Sequence, residues 1–304
     1  MIYDFIQFII GLAMIYFSAE LIIKYGKELA YSIGVSKYFI GLTLVAFGTS
    51  FPEFVVSINA SINGNPGVAY GNVIGSNIAN IALVLSICSL FRNLKSNKIK
   101  NQDLYFFLVS CLLTLVFSWN GFIGDVEAIC FLMVFVFYCY FIKKEFGSLT
   151  NQKNNVKKFR LDGYLLIILS CSFYILVVGS NYFIGSALNI AYNFNISNVA
   201  ISMTMIAIGT SIPELATSII AVYKKEHDLL IGNIVGSNIM NVLMVLGPSA
   251  LISNISIDNH INSLILVITL TVMIFVINFL KIKFTRILGV LLLLTYSVFI
   301  YSNF

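Results

Sequence analysis

The sequence predicts an all-α membrane protein with ten transmembrane helices in two inverted-topology repeats of five. Three observations predict this class: the composition, the placement of the basic residues and an internal repeat. Of the 304 residues, 59% are hydrophobic and only 10% are charged, whereas soluble domains carry about a quarter charged residues. This composition excludes an ordinary soluble protein, a disordered chain and a disulfide-stapled scaffold, and it indicates a polytopic membrane protein.

Ten apolar segments come close to the length of about 20 residues that crosses the hydrocarbon core of a bilayer. The first has no preceding Lys or Arg and no cleavage signature, so we interpret it as a retained span and not as a signal peptide. The fourth is the shortest. In chain order the segments are residues 3–23, 38–62, 68–90, 104–119, 122–142, 163–190, 197–223, 229–252, 261–280 and 284–301.

The basic residues support this count because they occupy alternate loops. All 18 Lys and Arg residues lie between spans one and two, three and four, five and six, seven and eight, or nine and ten. The positive-inside rule then predicts cytoplasmic basic loops and both termini outside the cell. The protein is expected in the cell membrane, and the net charge of +5 requires no nucleic-acid partner. The sequence identifies no protein partner.

The longest basic loop divides the chain into two predicted halves. Residues 1–142 form the N-terminal half, residues 143–160 a solvated cytoplasmic linker, and residues 161–304 the C-terminal half. Because each half has an odd number of spans, the second half must enter the membrane from the opposite face.

An internal repeat links the two halves. Residues 41–85 and 202–246 align without a gap at an offset of 161 positions, with 19 identities in 45 residues. The matches include the polar and helix-breaking residues of two motifs, G-T-S-x-P-E and G-N-x-x-G-S-N-I, which shared apolar composition would not produce. An inverted repeat is typical of secondary transporters, whose site lies near the midplane where the copies meet.

The first motif places a glutamate deep inside a predicted span in each half. A charged side chain at the bilayer centre costs roughly 2.5–3.5 kcal/mol on insertion scales, so it persists where it faces protein, water or a counter-ion. Glu53 and Glu214 are related by the repeat. We therefore expect the two carboxyl groups to converge on one site.

The same motif opens the helix and supplies further oxygen atoms. Pro52 and Pro213 lack an N–H group, so the carbonyls of Gly48 and Gly209 lose their helical partners. The second motif adds hydroxyl and amide groups, and no Cys, His or Met accompanies the set. Such hard oxygen ligands suit Na⁺ and Ca²⁺. The polar candidates are Ser50, Ser76, Asn77, Asn80, Ser211, Ser237, Asn238 and Asn241.

The two motifs, occurring twice in opposite orientation, resemble the alpha repeats of the sodium/calcium exchanger family, within the cation/calcium antiporter superfamily. The resemblance implies alternating-access antiport of Ca²⁺ against Na⁺, with spans one and six sliding as the gate. It implies Glu53 and Glu214 as central Ca²⁺ ligands, with backbone carbonyls from Thr49 and Thr210. It further implies Na⁺ ligands among Ala46, Ser50, Ser76, Ala207, Ser211 and Ser237, with Asn80 and Asn241 lining the site.

One position departs from the family pattern. Several microbial relatives and the potassium-dependent branch carry Asp where this chain has Asn241. The missing carboxylate favours direct Na⁺/Ca²⁺ exchange. An antiporter coupled to H⁺ or K⁺ and a passive cation channel remain alternatives. An enzyme is not expected, since the sequence has no nucleophile–base pair or cofactor motif. Near the first basic loop, Glu20 and Lys24 are expected to form an i, i+4 ion pair, and a gating role for Glu20 is the alternative.

Overall fold

In the computed structural model, residues 2–95, 99–151, 163–193, 209–257 and 261–303 are described, and most of them are helical. A helical break at Ser50 separates the helix Lys37–Thr49 from the helix Phe51–Ile62. A two-stranded antiparallel sheet pairs β1 (Phe122–Ile123) with β2 (Ile255–Ser256). The helices are α1 Ile2–Ile33, α2 Lys37–Thr49, α3 Phe51–Ile62, α4 Pro66–Phe91, α5 Asn101–Phe117, α6 Asp125–Asn151, α7 Gly163–Asn193, α8 Ile212–Tyr223, α9 His227–Ile252, α10 Ile261–Phe279 and α11 Arg286–Asn303.

The helices of the described residues are those of a multi-pass membrane protein. Six of them, α1, α4, α6, α7, α9 and α10, are long and apolar enough to cross a bilayer, and the bent pair α2–α3 makes a seventh candidate. Three shorter apolar helices, α5, α8 and α11, lie where spans four, seven and ten are predicted. The all-α class is confirmed, while the count of ten spans stays a prediction.

The helix bounds recur at the offset of 161 residues. Helices α3 and α4 are equivalent to α8 and α9, because the first and last residues of each pair differ by 161 positions. Two short backbone pairings follow the same rule, because Leu94 pairs with Phe284 and Ile123 pairs with Ile255. We call the ends of the helices that carry the basic loops the basic face, and the other ends the opposite face. One pairing lies at each face, and each joins one half of the chain to the other.

Helix α9 lies at the centre of the molecule, and all residues of its most apolar stretch are buried. In the corresponding stretches of α1 and α7, only 33% of the residues are buried. Glycines let α9 approach α2 closely. A Cβ atom on Gly232 would lie 2.3 Å from the carbonyl oxygen of Tyr38, and one on Gly236 would lie 2.2 Å from that of Leu42. This contact places the polar residues of α9 beside the end of α2. Helices α1 and α7 pack along each other at the periphery.

Candidate cation-binding site

The repeated G-T-S-x-P-E motif has the same backbone conformation at its serine in each copy. Ser50 has φ −83° and ψ 2°, and Ser211 has φ −85° and ψ 4°. These values lie in the sparsely populated bridge region, which is common at functional sites. In the first copy the helix axis bends by 40°. Each break places a glutamate in the first turn of the helix that follows.

The carboxyl groups of Glu53 and Glu214 are both fully buried and close enough to interact electrostatically. Ser50 donates a hydrogen bond of 3.4 Å to Oε1 of Glu214. Among the described residues, both carboxyl oxygens of Glu53 and Oε2 of Glu214 have no hydrogen-bond partner within 3.5 Å, although the hydroxyls of Ser76 and Thr210 lie near Glu53 and that of Thr49 lies near Glu214. A buried carboxylate without partners is costly. These three oxygen atoms are therefore suited to a bound cation.

Two crossed hydroxyl pairs surround the carboxyl groups. The hydroxyl oxygens of Thr49 and Ser237 are 3.3 Å apart, and those of Ser76 and Thr210 are 3.2 Å apart. Each pair joins the first motif of one half to the second motif of the other half. The 161-residue offset converts one pair into the other, so the same contact is formed twice.

Two asparagines that sequence analysis did not assign to the site hold these threonines. Thr49 donates to Oδ1 of Asn233 over 3.1 Å, and Thr210 donates to Oδ1 of Asn72 over 3.1 Å. The amide of Asn72 also donates to the backbone carbonyl of Glu53 (3.1 Å) and to Ser57 (2.9 Å). The available signal was their identity in both copies of G-N-x-x-G-S-N-I.

A second buried polar layer lies beside the carboxyl groups. Asn80 and Asn241 sit in π-helical segments of α4 and α9, Ala79–Leu85 and Asn241–Leu246. Such segments are frequent at functional sites. The Asn241 amide donates to Oδ1 of Asn77 over 3.1 Å. Within the described part of the chain, the Asn80 amide and Oδ1 of Asn241 have no partner.

Most of the predicted ligands therefore lie in one buried cluster. The glutamates, the two threonines and three of the four serines are joined by the contacts above, and the fourth serine, Ser211, is buried without a hydrogen-bond partner among the described residues. Ala46 is buried, and its carbonyl oxygen lies 3.4 Å from the hydroxyl oxygen of Thr49. Ala207 lies outside the described residues. Within those residues, no group of three or more His, Cys, Asp and Glu side chains comes together.

A cavity of about 360 Å³ leads toward the cluster. It lies between α3, α4, α7 and the start of α8, and Asn72, Ser180, Thr210 and Pro213 line it. These parts of α3, α4 and α7 belong to the half of the molecule nearer the opposite face. The cavity thus lies on the side of the polar cluster that is nearer that face.

The fold and the buried two-carboxylate cluster define a cation-transporting membrane protein. The family model for the sodium/calcium exchanger protein matches residues 3–144 and 164–304. The chain belongs to this family, and the relationship predicted from the two motifs is confirmed. It is an integral, multi-pass membrane transport protein.

Individual relatives and structures agree with this assignment. The chain is 30% identical to the sodium/calcium exchanger MaX1 of Methanosarcina acetivorans, over 98% of this chain and 97% of that protein. It is 34% identical to the inner membrane protein YrbG of Escherichia coli, over 82% of this chain and 80% of that protein. A solved structure of the sodium-calcium exchanger NCX_Mj, soaked with Na⁺ and Sr²⁺, superposes with a TM-score of 0.86 at 27% identity and covers 99% of this chain and 98% of that chain.

Proposed function

We propose that this protein exchanges Ca²⁺ against Na⁺ across the cell membrane by alternating access to the buried cluster. One observation carries the proposal: two repeat-related glutamates, fully buried, have three carboxyl oxygens without a partner among the described residues. The relatives named as sodium/calcium exchangers support it.

The chemistry of the cluster fits both cations. Ca²⁺ takes 6–8 oxygen ligands, and two carboxylates neutralise its charge. The same carboxylates balance two Na⁺ ions, so the two cations compete for one set of oxygen atoms. In this proposal Glu53, Glu214 and the carbonyls of Thr49 and Thr210 bind Ca²⁺, and Asn80 and Asn241 line the site. The Na⁺ ligands come from Ala46, Ser50, Ser76, Ala207, Ser211 and Ser237.

Alternating access requires that the cluster open to each face in turn. The cavity beside Thr210 supplies the path to the opposite face, and the repeat supplies an equivalent path to the basic face. In the proposed arrangement ten spans form two inverted halves, 1–142 and 161–304, joined by the linker 143–160. The basic loops are cytoplasmic, both termini are outside, and α1 and α7 slide as the gate.

Uptake of radiolabelled Ca²⁺ into proteoliposomes tests the proposal. An outward Na⁺ gradient should drive uptake, whereas K⁺ or H⁺ gradients imposed without Na⁺ should not. Glu53→Gln and Glu214→Gln should each reduce the Na⁺-driven flux by at least about tenfold, because divalent cation affinity depends on the ligand charge count. Glu28→Gln, a matched change at an exposed glutamate of α1, should leave the flux unchanged. Undiminished flux in either site variant at normal protein yield would reject the proposal.

A further inference from the structure

The turn between α8 and α9 at the basic face carries a cluster of ion pairs. Glu226, which is 5% exposed, lies between two lysine ammonium groups, 2.7 Å from Lys27 and 2.5 Å from Lys37. Lys224, in the same turn, pairs with Glu20. We call these three contacts the basic-face ion pairs. They tie α1 and the start of α2 to the α8–α9 turn.

The repeat allows the α8–α9 turn to be compared with the equivalent turn between α3 and α4, which has the same backbone conformation. Asn65 donates its N–H to the carbonyl of Ala60 (2.9 Å), as Glu226 does to Ala221 (2.8 Å). Gly64 has φ +74° and the equivalent Lys225 has φ +62°. The two turns therefore differ in side chains and not in shape.

The residues of these ion pairs have neutral equivalents at the opposite face. The offset of 161 places Asn63 and Asn65 where the basic face has Lys224 and Glu226, and it places Asn181 and Leu188 where α1 has Glu20 and Lys27. Neutral residues cannot form the equivalent ion pairs. Asn181 instead lines the cavity that reaches the cluster from the opposite face.

Burial follows the same asymmetry. Ser180 of α7 lines the cavity but is itself only 4% exposed, and its repeat equivalent on α1, Ala19, is fully buried. Val56 of α3 also lines the cavity, whereas its equivalent Thr217 is 1% exposed. Among the described residues, the α3 position is thus accessible on the face without the ion pairs, and its equivalent in α8 is buried on the face that has them.

We infer that the basic-face ion pairs lock the path to the basic face and make the state open to the opposite face the resting state of the transporter. The inference rests on the proposed alternating access. Glu226 is the central residue because it is shared by two lysines from different segments. An ion pair held by a largely buried carboxylate contributes more than a fully solvated one.

Thiol labelling measures the lock directly. The five native cysteines are replaced, Ala19→Cys is introduced as the reporter of the basic-face path, and the purified protein is placed in nanodiscs with a cationic methanethiosulfonate reagent. The labelling rate follows the population of the open form when opening is fast. Glu226→Gln should raise this rate about threefold to tenfold. A second reporter, Asn181→Cys at an exposed position that lines the cavity, should stay rapidly labelled.

Reversing the charges of the Glu20–Lys224 pair tests the inference without changing Glu226, so that a folding defect of Glu226→Gln cannot decide the result. Glu20→Lys should also raise labelling of Ala19→Cys, and adding Lys224→Glu should restore the slow rate. Glu28→Gln on the same helix is the control and should change nothing. Equal labelling in Glu226→Gln, Glu20→Lys and the unaltered background would overturn the inference. The assay needs no ion gradient, so failure of the proposed exchange and failure of the lock are separate results.

Discussion

Asn72 and Asn233 show how each half of the chain completes the site of the other. Each asparagine accepts a hydrogen bond from the threonine of the opposite repeat, 3.1 Å in both cases. Asn72 also fixes the first turn of α3 through the carbonyl of Glu53. At the level of single residues, the threonines are therefore positioned by amides that need not contact an ion.

Replacement of Asn72 tests this positioning. Asn72→Ala removes the acceptor of Thr210 and two donated hydrogen bonds, so the free energy of unfolding should fall by about 1–3 kcal/mol. The KM for Ca²⁺ should rise severalfold while the variant remains folded. Thermal unfolding in detergent and Ca²⁺ flux at varied concentration measure both effects. Asn59→Ala, at an exposed position of α3, is the control, and equal behaviour of the two variants would contradict the assignment.

The pH dependence of the basic-face ion pairs follows from Glu226. Partial burial favours its neutral form, but the hydrogen bonds and charges of Lys27 and Lys37 outweigh burial and hold the pKa of Glu226 below the usual 4.5. A lowered pKa in the folded state stabilises the protein above the unfolded-state value, and this contribution is lost as the pH falls through the lowered pKa. Because only the thiolate reacts, the labelling rate of Ala19→Cys is corrected at each pH for its thiolate fraction, and we expect the corrected rate to be constant from about pH 6 to 8. A change within this range that persists in Glu226→Gln would assign the titration to another group.

At the scale of elements, the site depends on the approach of α9 to α2. The carbonyl oxygens of α2 occupy the space that side chains on Gly232 and Gly236 would need. Ser237 follows directly and lies 3.3 Å from Thr49. The glycines thus set the distance between the two helices and, through it, the geometry of the hydroxyl pair.

Gly236→Ala should separate these helices. Its Cβ atom would lie 2.2 Å from the carbonyl oxygen of Leu42, and backbone cannot move aside as a flexible side chain can. Overpacking of this kind costs about 1–3 kcal/mol or more, so the melting temperature and the Na⁺-driven Ca²⁺ flux should both fall. Gly67→Ala, where no atom lies within 4 Å of the new Cβ, should preserve both. An unchanged melting temperature in Gly236→Ala would show that the helices are not in close contact.

The sequence predicted part of this arrangement correctly. The breaks at Ser50 and Ser211 follow from a proline two residues later, and the burial of Glu53 and Glu214 follows from their position within apolar runs. The π-helical segments were not predicted, since no residue type marks them. The expected Glu20–Lys24 pair was wrong: Glu20 pairs with Lys224, a contact between distant segments that helical spacing cannot indicate. The crossed threonine–asparagine bonds also required the relative position of the halves.

At the scale of the whole molecule, the proposed inverted topology predicts that repeat-equivalent residues lie on different sides of the membrane. Lys95 and Ser256 are related by the 161-residue offset, and both are exposed. They follow α4 and α9, which are equivalent helices in the two copies. If the copies are inverted, these two residues lie on different sides of the membrane.

Single cysteines at these two positions test the topology. In whole cells of a cysteine-free background, an impermeant maleimide should label Ser256→Cys and leave Lys95→Cys unlabelled, because the basic loops are predicted to be cytoplasmic. Permeabilised cells should label both. Labelling of both positions in intact cells would exclude the inverted arrangement.

The short strand pairings have a consequence for how such a protein can move. Leu94 and Phe284 exchange two backbone hydrogen bonds of 2.9 and 2.8 Å, and Ile123 and Ile255 form the equivalent link at the opposite face. We expect these two backbone clasps to hold the two halves of the chain, apart from α1 and α7, at a fixed height relative to each other. In the described part of the chain, no such backbone clasp holds α1 or α7. We therefore expect the outer helix pair to travel along a stationary scaffold, so that the ion stays at one depth while the water-filled entrance changes sides.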